Sequence, residues 1–400
     1  MAHAPARSAC VAKAISYRIC YGDMMTHDLD LDKMIAGVKK TGYPLEYEIS
    51  AILKSRGWTI ISGTYYIDSD RDQPREIDIV AYKISNTPVK VVTALIISCK
   101  KSANAAWGFL ARSADHSNPN IVYDPFHFWT DNKPMQYYIE KENWRNIYPR
   151  FAASRRVNGI LDKPEFEVFA LQPMEMGAQR EDGAKGKEQG KPSDSPAMFE
   201  SVMSLMKAQQ HYLNRGSKGR KVPRFYQYNL ISLADTKFIR FDFSDSGIGA
   251  EFAERIPYIG RYIFKDDDVF SKIWFVTKND FPSLLSEYDR LHEANVKLVK
   301  GKTEEFYKNI MKDSERVDVL LPEFQKKLVA AIGTRIKTER PIAPDDFYLF
   351  FVADDVLEIC YVSFEDISKK LNSNKHILAR TAEILKSLFK YEGPFKFTDL

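Results

Sequence analysis

Cysteine is scarce in this chain: 400 residues contain four, Cys10, Cys20, Cys99 and Cys360, with no CxxC pair and no other zinc spacing. That scarcity excludes a disulfide-stapled scaffold and leaves reduced thiols in a cytoplasmic protein as the expectation. Long apolar runs are lacking too. No stretch approaches the ~20 residues of a membrane-spanning helix, so no membrane partner is expected. Basic residues interrupt the N-terminal "MAHAPARSACVAKAISYRIC", which breaks a signal-peptide core. The seven histidines show no ligand spacing, and "SDSGIG" lacks the Lys-Ser/Thr that completes a phosphate loop. Neither sign of charge dominates: 58 basic against 54 acidic side chains leave +4. Such a balance permits a nucleic-acid partner without demanding one.

What is present fits a folded α/β protein. The hydrophobic content is 44% and the aromatic content 13%, ample for a core. The length exceeds what one core usually covers, so two or three domains are expected. Residues 1–28 read as a flexible extension, or as sequence upstream of a start at Met24 or Met25. "LDKMIAGVKKTG" reads as a short helix. "PLEYEISAILKSRG" reads as a second, from a first-turn proline to a terminal glycine, with Leu45, Ile49, Ile52 and Leu53 as its apolar stripe. Three strands follow in "WTIISGTYYID", "REIDIVAYK" and "VKVVTALIISCKK". The third is almost continuously apolar, as a strand covered on both faces must be.

Further along, "NAAWGFLARSA" and "NWRNIYPRFAASRR" read as helices and "EFEVFALQP" as a strand. Residues 173–198 form a polar segment rich in Gly and Lys, expected to be a mobile loop. Residues 199–300 continue as an amphipathic helix, strands around "FYQYNLISL", "KFIRFDF" and "KIWFVTK", and the helix "FPSLLSEYDRLHEANV". Residues 301–400 read as mainly helical with one strand-like insert, and as a surface for a protein partner. No internal repeat is evident. The arrangement leaves self-association open.

The chemistry gathers in the first 110 residues. Strand residues two apart share a face, so Glu76 projects with Asp78, and Ser98 with Lys100. If these strands are neighbours, two carboxylates and a lysine meet, and the preceding helix can add Glu46 or Glu48. Helical geometry alone does not choose between those two. Carboxylates beside a lysine suit a divalent cation with hard oxygen ligands, and water activation against a phosphodiester. The lysine would orient the water or stabilise developing negative charge. The plainer alternative is a set of solvated cross-strand ion pairs.

"GYPLEYEISAILKSRGW", "REIDIVAY" and "SCKKS", in that order, resemble the PD-(D/E)XK (restriction-endonuclease-like) nuclease superfamily. The clear likeness covers about Gly42 to Trp107. It implies a mixed sheet flanked by helices over residues 29–172, with Mg²⁺ or Mn²⁺ as cofactor. The implied activity is hydrolysis of DNA, with RNA left open, in restriction or phage defence. By the resemblance Asp78 is the metal-binding aspartate, Lys100 the catalytic lysine, and Glu46 the helix glutamate. Cys99 would offer its backbone carbonyl to the metal. The departure is Ser98, which stands where the family has an acid. Either Glu76 compensates as a metal ligand, or the fold is degenerate and binds nucleic acid or protein without cutting.

From Lys207 to Arg240 Asp235 is the only acid, against eight Lys and Arg. Arg215, Lys218, Arg220 and Lys221, with aromatics interleaved, are candidates for phosphate-backbone contacts. A solvated basic loop is the competing reading. His127, in "DPFHFW", and Trp107 read as packed residues rather than site residues.

Overall fold

A computed structural model describes residues 30–68, 72–141, 143–157, 159–177, 189–216, 222–351, 356–362 and 367–399. They fall into two compact units, one ending at Pro44 and the other spanning Leu45–Leu400. In the first, α1 (Leu31–Lys39) begins at Asp30, whose side chain accepts the Lys33 N–H at 3.1 Å, and none of its residues is buried.

The second unit is an α/β assembly. It begins within α2 (Tyr43–Ser55), and the expected three-strand meander follows: β1 (Thr59–Asp68), β2 (Gln73–Ile84) and β3 (Lys90–Lys101), antiparallel in turn. Next come β4 (Ala105–Ser113), β5 (His127–Thr130), α3 (Lys133–Glu140), α4 (Trp144–Ser154), β6 (Phe166–Glu175) and α5 (Ala197–Asn214). Strands β7 (Arg224–Asp235), β8 (Phe238–Ser244), β9 (Gly247–Ala253), β10 (Arg255–Phe264) and β11 (Asp267–Thr277) lead into α6 (Phe281–Tyr307). The chain closes with α7 (Ser314–Ile332), β12 (Phe347–Phe351), β13 (Leu357–Tyr361), α8 (Ser368–Ser373), α9 (Lys375–Phe389) and β14 (Phe395–Asp399).

The main sheet has the order β1-β2-β3-β7-β11-β10, with β5 also paired to β7. β3 lies inside it and is buried from Val91 to Cys99, which is why its sequence does not alternate. It runs parallel to β7 along its whole length, with Ser98 level with Ser232. One face of the sheet packs on α2, α3, α4 and α6, in a core that continues through α7, α9 and the small sheet β12-β13-β14. The other face, with Val80 and Ile96, packs on α5 and on a second sheet, β6-β4-β8-β9. Polar bonds fix α6 in place. Asp289 accepts from Trp58 Nε1 at 2.9 Å and Lys83 Nζ at 2.6 Å. Tyr148, Gln227 and Asn295 close a buried ring of hydrogen bonds joining α4, β7 and α6. Among the described residues no helix is long and apolar enough to cross a membrane.

Several elements differ from expectation. Ala105–Ser113, expected as helix, is strand β4, whose Trp107 and Phe109 enter the second core. Gly108 explains the strand: a Cβ there would stand 2.5 Å from the Gln172 carbonyl oxygen of β6, a close approach that suits glycine. β10 escaped notice because Pro257 and Gly260 interrupt its pattern. It ends the strand order, and proline is tolerated at a sheet edge. In the polar segment before α5, residues 189–193 return along β6: Glu175 N–H donates to the Lys191 carbonyl at 2.8 Å, and Ser193 N–H to that of Pro173 at 2.9 Å. Residues 178–188, the middle of that segment, lie outside the described residues, as do Cys10, Cys20 and the expected extension 1–28.

Candidate active site

The antiparallel ladder between β2 and β3 runs from Ile84–Val92 to Ile79–Ile97 and then gives way. At the next step a side chain replaces the backbone: Asp78 Oδ2 accepts the Cys99 N–H at 2.6 Å. A buried strand amide needs an acceptor, and here the acceptor is a carboxylate, which fixes Asp78 beside the end of β3. Two residues along, Lys100 emerges half-buried from the otherwise covered strand. It stands within electrostatic reach of Glu46 and of Cys99. Lysine following the apolar run therefore stands half-covered near acids rather than fully in solvent.

The structure separates Glu46 from Glu48. Both lie early in α2, whose Leu45, Ile49 and Leu53 are buried. Glu48 forms an ion pair with Lys278 at 2.7 Å. Glu46, half-buried, lies within electrostatic reach of Asp78 and Glu76. Burial raises its carboxyl above the usual range, and the charges of Asp78 and Glu76 raise it further, with Lys100 opposing. Glu46, Glu76, Asp78 and Lys100 thus form one electrostatic group. Gly63 of β1 has a left-handed backbone (φ 55°) in the stretch facing Glu76, and a Cβ there would come within 3.1 Å of Glu76 Oε1. Cys99 is buried in the larger core, and burial followed by the charge of Asp78 holds its thiol well above the usual range. The side chain packs in that core, and it is the backbone N–H of Cys99 that Asp78 contacts.

Glu76, Asp78, Ser98 and Lys100 line an open cleft of about 660 Å³ whose opposite wall is the first half of α5. Ser98 is only 1% exposed. Its neighbour across the parallel ladder, Ser232, bonds Ser201 of α5 at 2.8 Å. Small serines let the helix lie close to the sheet at this point. Sequence reasoning missed the α5 wall. Glu200 lines the cleft, and Lys207 holds both oxygens of buried Asp68 at 3.0 Å. These residues lie about a hundred positions after β3, and only the docking of α5 brings them in; no local motif marks them. Of the basic candidates, Arg215 is exposed just past the end of α5, while Lys218, Arg220 and Lys221 lie outside the described residues. His127 and Trp107 are packed, as expected. His127 Nε2 lies 2.8 Å from the Phe270 carbonyl, and Trp107 is 1% exposed.

Among the described residues no three His, Cys, Asp or Glu side chains converge closely enough to form a complete metal cage. The donor chemistry nevertheless suits Mg²⁺, which takes one or two carboxylates and keeps several of its waters. The acids around Glu46 repel one another, a cost that a divalent cation would relieve. The sign of the stability effect follows. A carboxyl raised in the folded state contributes stability below its unfolded pKa and loses it as pH rises through the folded value. Glu46→Gln should therefore stabilise the metal-free protein at neutral pH, by no more than about 1 kcal/mol for a partly solvated group. The gain should vanish on acidification through the carboxylate range, and thermal unfolding across pH in EDTA measures it.

Neither a family model, nor a curated protein, nor a solved structure matches this chain.

Proposed function

We propose that the chain is a Mg²⁺- or Mn²⁺-dependent nuclease of the PD-(D/E)XK type, with a restriction-endonuclease-like core, that hydrolyses phosphodiester bonds of DNA. The observation that carries the reading is Asp78, fixed by the Cys99 amide where β2 and β3 part, with Lys100, Glu76 and Glu46 in one electrostatic group around it. Asp78 and Glu46 would hold the cation, with Glu76 in place of the acid missing at Ser98 and the Cys99 carbonyl as a further ligand. When bound, the cation supplies a polarised phosphate and a more acidic water. Lys100, closing no salt bridge with a described residue, is available to orient that water or to stabilise charge on the phosphate. The cleft, about 660 Å³ and open to solvent, would take a phosphate of the nucleic-acid backbone. A role in restriction or phage defence rests on the family resemblance alone.

A second reading is a degenerate nuclease fold that binds nucleic acid or protein without cutting. Ser98 favours it, since a neutral hydroxyl is a poor Mg²⁺ ligand. A direct assay decides between the two. Incubation with plasmid, linear DNA and RNA should give cleavage with Mg²⁺ or Mn²⁺ and none with EDTA. Intact substrates under every metal would overturn the nuclease reading and leave the binding one.

A further inference from the structure

The face of β3 that bears Ser98 and Lys100 also bears Val92 and Ala94, because alternate residues share a face. Tyr226 of β7 is level with Val92 and Tyr228 with Ala94, while Tyr82 of β2 flanks Ala94 on the other side. Here the sheet floors a second cleft of about 360 Å³, lined by Tyr82, Trp129, Tyr212, Tyr226 and Tyr228 and by Arg215 and Arg224.

Its rings are ordered as a ladder. Tyr226 and Tyr228 stack with centroids 5.6 Å apart and planes 8° from parallel. Tyr212 continues the stack on Tyr228 at 6.1 Å and 21°, and Trp129 stands edge-on to Tyr226 at 5.8 Å. Arg224 Nη1 donates to the Tyr226 hydroxyl at 2.9 Å and steadies that ring. All five rings stay partly exposed, unlike Trp107, Phe109 and Phe238, which fill the neighbouring core. No described acid lines the cleft. Its volume lies in the range of small-ligand sites. Flat faces around a void with arginines at the rim match a ligand that is aromatic and anionic at once. A nucleotide with an unstacked base is such a ligand, whereas bases within a duplex already spend their faces on each other.

We infer that this cleft seats an unpaired base of single-stranded nucleic acid, stacked on the tyrosine ladder, with its phosphate directed to Arg215. The inference rests on the nuclease reading for the source of that strand. It adds that the substrate contains an unpaired segment. From Ala94 to Lys100 is six strand residues, about 20 Å along one face, so a strand anchored here is led toward Asp78 and Lys100.

The test uses the full chain in EDTA, where nothing is cut. Labelled oligo(dT) and oligo(rU) of about a dozen nucleotides, and a duplex of the same length, are titrated by fluorescence anisotropy. The single strands should bind at least about tenfold more tightly than the duplex, and quench the part of the tryptophan emission that Trp129→Leu removes. Tyr226→Leu and Trp129→Leu should each weaken binding roughly tenfold. Arg215→Ala should lower affinity and flatten its salt dependence. Comparing dT with rU shows whether the 2′-hydroxyl is read. Metal is withheld throughout, which keeps this test independent of cleavage. Should Tyr226→Leu fail to fold, Trp129→Leu and the quenching carry the result. Binding unchanged in the aromatic variants, no quenching, or equal affinity for duplex would overturn the inference. Loss of cleavage with binding intact would overturn only the nuclease reading.

Discussion

Lys100→Ala should lower metal-dependent cleavage at least about a thousandfold, the scale set by removing an aligned charge from a phosphoryl transition state. Its fold should be untouched. Lys100 closes no salt bridge with a described residue, so removing it strands no buried acid and relieves no strain. Asp78→Ala should be as inactive but less stable, because it also removes the acceptor of the Cys99 N–H. An unsatisfied strand amide costs about 1–3 kcal/mol. Asp78→Asn separates the two losses. It keeps an oxygen for the amide, so stability should recover while activity stays lost. Circular dichroism and thermal unfolding report the fold, and plasmid nicking reports the chemistry. Full activity in Lys100→Ala or in Asp78→Asn, with contaminating nuclease controlled, would sink the proposed function.

Much of the region around Asp78 and Lys100 was legible because its signals are local. Pro44 and Gly57 bracket α2. Alternation shows in β2, and the unbroken apolar run of β3 announces a strand with two covered faces. Adjacency of β2 and β3 then follows from their short connection, and with it the meeting of Asp78 and Lys100. What could not be read depends on contacts distant in sequence. The choice of Glu46 over Glu48 is made by Lys278, more than two hundred residues away. Glu200 and Lys207 enter only because α5 docks over β3 and β7. β4 was misread because Ala105, Ala106 and Ala111 favour helix in isolation. Tertiary packing of Trp107 and Phe109, and the fit of β6 against Gly108, override that preference.

The largest remaining effect concerns Ser98. If Glu76 supplies the charge that Ser98 lacks, Glu76→Ala should abolish Mg²⁺-dependent cutting in an otherwise active enzyme. Glu200→Ala should leave it nearly unchanged: Glu200 shares the cleft, but is not among the charges that raise Glu46. Adding Ser98→Glu to Glu76→Ala should restore activity at least partly, because position 98 opens on the same cleft as Asp78 and Lys100. That rescue carries a physical signature. Ser98 is 1% exposed, so a carboxylate placed there is poorly solvated and repelled by Asp78. Without metal, Ser98→Glu should cost about 1–3 kcal/mol of stability. Mg²⁺ should return most of it, since binding to the folded state alone stabilises that state. Titration calorimetry gives the complementary reading, with Mg²⁺ or Mn²⁺ binding lost in Glu76→Ala and regained in the double variant. Ser98→Glu alone separates the compensated site from the dead one. In a dead site the natural protein cuts under no metal and the new glutamate awakens it, because Asp78 and Lys100 already stand in position. The grouping of Glu46, Glu76 and Lys100 about the fixed carboxylate of Asp78 favours compensation. Compensation by Glu76 fails if the natural protein cleaves and Glu76→Ala cleaves just as fast.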